Sequence, residues 1–308
     1  MKPKERTFSY KWKLIIKNYD LYLMILPAVV IVAVFNYAPM YGVQLAFKDF
    51  FANRGIWGSP WVGVKHFTRF FQSYYWFDII KNTLVISIYS MIVGTPFPII
   101  FALMLNEVRL LKYKKIIQTV SYAPNFISTV VIVGMIFLFF SPESGIVNSV
   151  IKMFGGKTVD FINRPELFPS LYVWSGIWQG TGYSAIIYIA ALSGIDQEQY
   201  DAAIIDGATR MQRIWHINIP GIMPTIIILF ILSMGGILSV GFEKVYLMQT
   251  PLNISASQVL ATYTYSMGIR NQEFGLSTAI GLMNTMVNLF MLVLVNTIAR
   301  RVGETSLW

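Results

Sequence analysis

The chain has no cysteine and only two histidines, His66 and His216, among its 308 residues. That excludes disulfide scaffolds, thiol chemistry and Cys/His zinc sites. Charge is scarce too. Asp, Glu, Lys and Arg make up 13% of the residues, whereas soluble domains carry about 25%; hydrophobic residues reach 55%. So few charges cannot cover a water-soluble body of this length, and the composition is too apolar for a disordered chain. A bilayer as solvent resolves both.

A helix needs about 20 apolar residues to cross a hydrocarbon core of about 30 Å. Six stretches qualify: Leu21–Phe47, Thr83–Leu105, Ile116–Phe140, Phe168–Leu192, Gly221–Phe242 and Leu276–Ala299. None contains Asp, Glu, Lys, Arg or His. The basic segment 1–20 precedes an apolar run too long for a signal-peptide core, so the first run reads as a retained helix. The net charge of +9 would suggest nucleic acid on a soluble protein. Here the basic residues sit between apolar runs and speak to orientation instead. With a cytoplasmic N-terminus, fourteen Lys and Arg fall inside and ten outside, although the outside segments are longer. The N-terminal residues Lys2, Lys4, Arg6, Lys11, Lys13 and Lys17 are the densest group. The expectation is N-in, C-in, with a membrane domain over 21–300 and a cytoplasmic tail over 301–308.

Tyr10, Trp12, Tyr19, Tyr22, Tyr74, Tyr75 and Trp76 cluster near the ends of the runs, where amphipathic rings suit the headgroup layer or a contact with a partner or substrate. Pro27 and Pro39 interrupt the first run, Pro96 and Pro98 the second. Membrane helices tolerate proline where neighbours or cavity water satisfy the freed carbonyl. No internal repeat or low-complexity linker is visible.

The segment 193–220 carries the most information. Asp196 is positioned as an N-cap for a short helix over Gln197 to Ile205, and Gly207 ends it. Thr209 can cap a second piece that continues to Ile219, with Pro220 marking a turn into the next membrane helix. The product is a cytoplasmic helical hook. Small residues (Ala202, Ala203, Gly207, Ala208) let another backbone approach. Asp201 flanks them, and Ile214 and Trp215 offer apolar anchors. Such a surface suits a groove on a soluble partner; it equally suits an amphipathic helix lying on the membrane.

The pattern Asp201-Ala202-Ala203-x-x-Asp206-Gly207-Ala208, followed by Ile217-x-x-Pro220-x-x-x-Pro224, resembles the coupling-helix signature of binding-protein-dependent ABC importer permeases of the carbohydrate-uptake group. Asn82-Thr83-Leu84 opens the second run as in that family. Tyr122-Ala123-Pro124-Asn125-Phe126-Ile127-Ser128 is similar to the branch that handles complex polysaccharides and oligosaccharides in Gram-positive bacteria. The resemblance covers most of the chain after about residue 20. It implies an all-α type I importer permease fold with about six spans. It also implies a second permease subunit, a different chain, and cytoplasmic subunits that bind ATP and magnesium while this chain binds no cofactor. An extracellular solute-binding protein would deliver a sugar or oligosaccharide. By position, Asp201 would face the ATPase, Ala202 and Ala203 would pack closely, and Gly207 would make the turn, with Asp206, Ala208 and Pro220 completing the motif. The family usually has Glu where this chain has Asp201, which keeps the charge and shortens the side chain.

Three look-alikes carry no chemistry. Gly156-Lys157-Thr158 lacks the first glycine of a phosphate-binding loop, since position 151 is isoleucine. Gly180-Thr181-Gly182-Tyr183-Ser184-Ala185 has dinucleotide-loop spacing but lies inside a membrane run, where small residues serve close helix packing or a local unwinding beside the substrate path. Asp196, Glu198, Asp201 and Asp206 have no His or Cys companions that would suggest a metal or an acid–base pair.

The competing class is an ion-coupled secondary transporter. Such proteins place ionisable residues near the midplane, and the runs have none, although a sodium site of carbonyls and hydroxyls would escape this argument while leaving the loop 193–220 unexplained. A membrane-embedded enzyme would need a polar constellation that is missing. Sugars bind through aromatic faces, amides and hydroxyls. Trp174, Trp178, Tyr183 and Tyr188 are therefore candidates for the path. Asn284 and Asn288, one turn apart, serve either the path or interhelical hydrogen bonds. The outside segments 48–82, 141–167 and 243–275 offer a landing surface for a binding protein, and their basic residues would suit an acidic oligosaccharide.

Overall fold

The computed structural model describes residues 17–303 and 305–308. Lys2, Lys4, Arg6, Lys11 and Lys13, with Tyr10 and Trp12, lie outside the described residues. The described residues form helices throughout, with one isolated bridge between Lys48 and Trp61. In chain order the elements that matter are α1 (Tyr19–Phe47), α2 (Lys65–Gln72), α3 (Trp76–Asn106), α4 (Leu111–Phe126), α5 (Thr129–Phe139), α6 (Phe168–Ser193), α7 (Gln197–Ile205), α8 (Arg210–Met234), α9 (Phe242–Met248) and α10 (Phe274–Val302).

α1, α3, α8 and α10 are continuous, long and apolar enough to cross a membrane. α6 has 26 residues, about 39 Å at 1.5 Å per residue. It is less apolar because the serines, glycines, Gln179 and Thr181 line its middle.

The expected span over Ile116–Phe140 is not one straight helix: α4 and α5 meet at an angle of 96°. Pro124 removes a backbone donor within the tight turn Ala123–Phe126. Ser128 then starts a new helix, its hydroxyl accepting the Val131 N–H at 3.5 Å. The span over Gly221–Phe242 is also corrected. α8 begins earlier, at Arg210, and stops at Met234. Gly235 and Gly236 follow, and the chain stays irregular until α9.

The prolines act differently from a simple break. A π-helical turn over Ala33–Tyr37 precedes Pro39, and another over Ile214–Asn218 precedes Pro220. Each shifts the hydrogen-bond register just where the proline lacks its N–H, so the helix continues. The expected turn at Pro220 is therefore absent, and α8 runs through it.

Residues Tyr19–Val32 bury no side chain against the rest of the chain; the later part of α1, Ala38–Phe47, packs on α10. α6 is the central element, packed on both halves of α3, on α4 with its closing turn and on α8. Gly182 shows why: a Cβ there would run into the Ser121 backbone carbonyl of α4. In a bilayer, helix association rests on such close packing and on interhelical hydrogen bonds, not on water exclusion. The Asn82-Thr83 pair supplies three such hydrogen bonds. Asn82 Nδ2 donates to the Ser255 and Gln258 carbonyls at 2.8 and 3.1 Å, and Thr83 Oγ1 accepts the Leu260 N–H at 2.9 Å.

Candidate coupling loop and translocation cavity

The hook forms as its residues dictate. The Asp196 carboxylate accepts the Glu198 N–H at 3.0 Å and caps α7. Gly207 takes φ 76°, a left-handed conformation that favours glycine. The Asp206, Gly207 and Ala208 N–H groups close back on Ala202, Ile204 and Ala203 carbonyls at 2.9–3.0 Å. Thr209 and Gln212 then form a reciprocal capping box that starts α8.

The base of the hook is fixed. The Tyr200 hydroxyl donates to Asn218 Oδ1 at 2.6 Å, and Asn218 is fully buried. Burial pushes the Tyr200 phenol above its ordinary value, with the Asn106 side chain opposing and the Glu107 carboxylate adding to the shift. Those neighbours at the end of α3 bring the hook against the helix bundle. Ile214 packs inward with Ile222 and Leu192, so of the two expected anchors only Trp215 is exposed. The tip also exposes apolar side chains that the sequence reading did not single out: Ile204, Met211 and Ile205, the last 86% exposed. Asp201, Ala202, Asp206 and Gly207 are exposed, and Ala203 and Ala208 half-buried. Pro220 is exposed on α8.

Between α3, α6 and α8 lies a cavity of about 630 Å³. Ser87 and Ser90 reach it from α3, Tyr172, Tyr183, Ser184 and Tyr188 from α6, and Ser233 and Ser239 from the end of α8 and the break after it. A smaller recess of about 320 Å³ shares Ser90, Gly94, Pro98, Tyr172 and Ser184 with it and reaches Lys244 of α9. The lining is apolar wall with hydroxyls on it, suited to a neutral or charged polyhydroxylated ligand.

Of the aromatic candidates, Tyr183 and Tyr188 line this cavity. Trp174 and Trp178 are half-exposed and line neither space. Trp174 donates from Nε1 to the Tyr89 hydroxyl at 3.0 Å and meets the Phe97 ring edge-on at 5.5 Å. Asn288 Oδ1 accepts the Leu238 N–H, while its Nδ2 donates to Ser239 Oγ at 3.0 Å and to Asn284 Oδ1 at 3.2 Å. This pair braces the break after α8. Sequence reasoning missed the serines, Tyr172 and Lys244; the i, i+3 spacing of Ser87 and Ser90 was the available signal.

A multi-pass helical membrane protein with a structured hook between two crossings and a hydroxyl-lined cavity between its helices is a transport subunit. Residues 94–304 match the family described as binding-protein-dependent transport system inner membrane component, and the chain belongs to that family: it is a permease component of the ABC-importer type. Permeases of this family work with a second permease, an ATP-hydrolysing subunit and a substrate-binding protein. The chain is 40% identical over 305 residues to the polygalacturonan/rhamnogalacturonan transport system permease protein YteP of Bacillus subtilis (strain 168), covering 99% of this chain and 95% of the relative. It is 41% identical over 288 residues to protein LplB of the same organism, covering 94% and 91%. A chain of a bacterial alginate ABC transporter, solved in complex with an alginate pentasaccharide-bound periplasmic protein, superposes with a TM-score of 0.88 at 38% identity, covering 96% of this chain and 99% of that one.

Proposed function

We propose that this chain, with a second and different permease, forms the membrane path by which an ATP-driven importer takes up an acidic oligosaccharide. The hydroxyl-lined cavity between α3, α6 and α8 is the observation that carries this reading, because polyhydroxylated cargo exchanges water hydrogen bonds for those of serine and tyrosine. The relatives named for polygalacturonan and alginate transport give the acidic class. The hook docks in a groove of the ATP-hydrolysing subunit through Ala202, Ala203, Gly207 and Ala208, with Ile204, Ile205 and Met211 as apolar anchors and Asp201 and Asp206 at the rim. ATP and magnesium are held on that partner. Both termini are cytoplasmic, and segments 48–82, 141–167 and 243–275 receive the loaded binding protein.

The test is uptake of an oligogalacturonate into proteoliposomes carrying both permeases and the ATP-hydrolysing subunits. Uptake is expected to require internal-face ATP and the binding protein, and to survive collapse of ion gradients. Uptake driven by an ion gradient without ATP would instead establish a secondary transporter.

A further inference from the structure

Lys244 lies on α9, just beyond the break that ends α8. Its ammonium donates to the Tyr172 carbonyl at 3.1 Å and sits 4.9 Å from the centre of the Tyr172 ring. No carboxylate pairs with it among the described residues. An ammonium has three donors, so this one keeps donors to spare, and the side chain lines the recess that joins the main cavity. Lys48, the buried lysine near the Lys48–Trp61 bridge, is different: it lies under the Trp61 ring, donates to the Ile56 carbonyl and lines neither space.

The approach to Lys244 is open because position 176 is glycine. A Cβ on Gly176 would lie 3.5 Å from the ammonium, and any larger side chain would fill the space in front of it. Ser90, Thr181 and Ser184 line the same recess. A partly desolvated cation without an anion is costly to hold. Lysine presents a flexible point charge that can meet a passing anion.

We infer that Lys244 reads the carboxylate of the acidic sugar during passage, with Gly176 keeping the approach clear and the recess hydroxyls holding the ring. This assignment rests on the acidic-oligosaccharide reading above. The ammonium then discriminates between uronate cargo and its neutral counterpart where the recess opens into the path, independently of the binding protein.

The experiment compares wild type, Lys244→Gln, Lys244→Arg and Gly176→Val in the complete reconstituted transporter, with trigalacturonate as the probe and co-purification of all subunits as the check on assembly. Lys244→Gln is expected to lower the maximal uptake rate by about tenfold or more, the scale of a lost charge-assisted hydrogen bond. Lys244→Arg is expected to keep most of the rate. Gly176→Val, which leaves the lysine in place, is expected to show a loss like that of Lys244→Gln and serves where Lys244→Gln fails to assemble. The affinity of the binding protein for trigalacturonate is the same throughout. An assembled Lys244→Gln or Gly176→Val transporter working at the wild-type rate overturns the assignment and leaves the acidic-substrate reading standing. So does Lys244→Arg as slow as Lys244→Gln. Wild type that imports no trigalacturonate sinks the substrate reading, and the assignment with it.

Discussion

Asn288 of α10 accepts a hydrogen bond from the Leu238 backbone N–H at 3.0 Å. It thereby satisfies a peptide group that the end of α8 leaves without a helical partner. Lipid offers no donor or acceptor to replace it, so a break at this depth persists only where protein supplies the bonds. The break in turn places Ser239 on the cavity wall. Asn288→Ala is expected to destabilise the purified permease by about 1–3 kcal/mol, the cost of stranding a buried polar group. Asn284→Ala, which removes only a contact to Asn288, is expected to cost less. Thermal unfolding followed by tryptophan fluorescence measures both.

Gly182 and Gly180 form a matched pair of positions on α6. A Cβ on Gly182 meets the Ser121 carbonyl, whereas a Cβ on Gly180 meets nothing within 4 Å. Gly182→Ala is expected to force α4 and α6 apart at a cost of about 1–3 kcal/mol. Gly180→Ala is expected to be neutral or slightly stabilising, since alanine is the better helix former by about 1 kcal/mol. Melting temperatures of the two variants check this.

Tyr200→Phe deletes the donor to Asn218 Oδ1. Asn218 Nδ2 already lacks a partner, so the whole amide would be stranded, at about 1–3 kcal/mol. The expected outcome is faster hydrogen exchange over residues 197–218, with the membrane helices unchanged. The phenol's raised value keeps this donor protonated through neutral pH and beyond the ordinary tyrosine range. The bond is therefore present below that range and is lost only as alkaline pH passes the elevated value.

The native absence of cysteine makes orientation directly measurable. Lys157→Cys is expected to react with a membrane-impermeant maleimide on intact cells. Ile205→Cys is expected to react only after the membrane is opened. The reverse pattern would invert the topology.

Much of this was legible in the sequence because it depends on local chemistry. Asp196, Gly207 and Thr209 each specify a cap or a turn within three residues, and the structure places all three as expected. What failed depended on register and tertiary contact. Pro220 looked like a boundary, but the π turn before it absorbs the missing donor. The run Ile116–Phe140 looked continuous by hydropathy, yet Pro124 and Ser128 divide it. Ile214 and Trp215 looked alike as anchors, and only the packing of α8 on α6 shows that Ile214 faces inward. Lys244 was counted as a loop charge, because nothing in its neighbours reveals Tyr172, 72 positions earlier.

The hook over 193–220 is proposed as the surface through which ATP hydrolysis drives the path. Its most direct test is co-purification of the partner subunits with wild type and with a double variant, Ile204→Asp and Ile205→Asp, which changes only exposed side chains. Wild type is expected to bring the second permease and the ATP-hydrolysing subunit. The double variant is expected to keep the second permease and lose the ATP-hydrolysing subunit. Retention of that subunit at the wild-type level, with substrate-stimulated ATP hydrolysis intact, would contradict the claim.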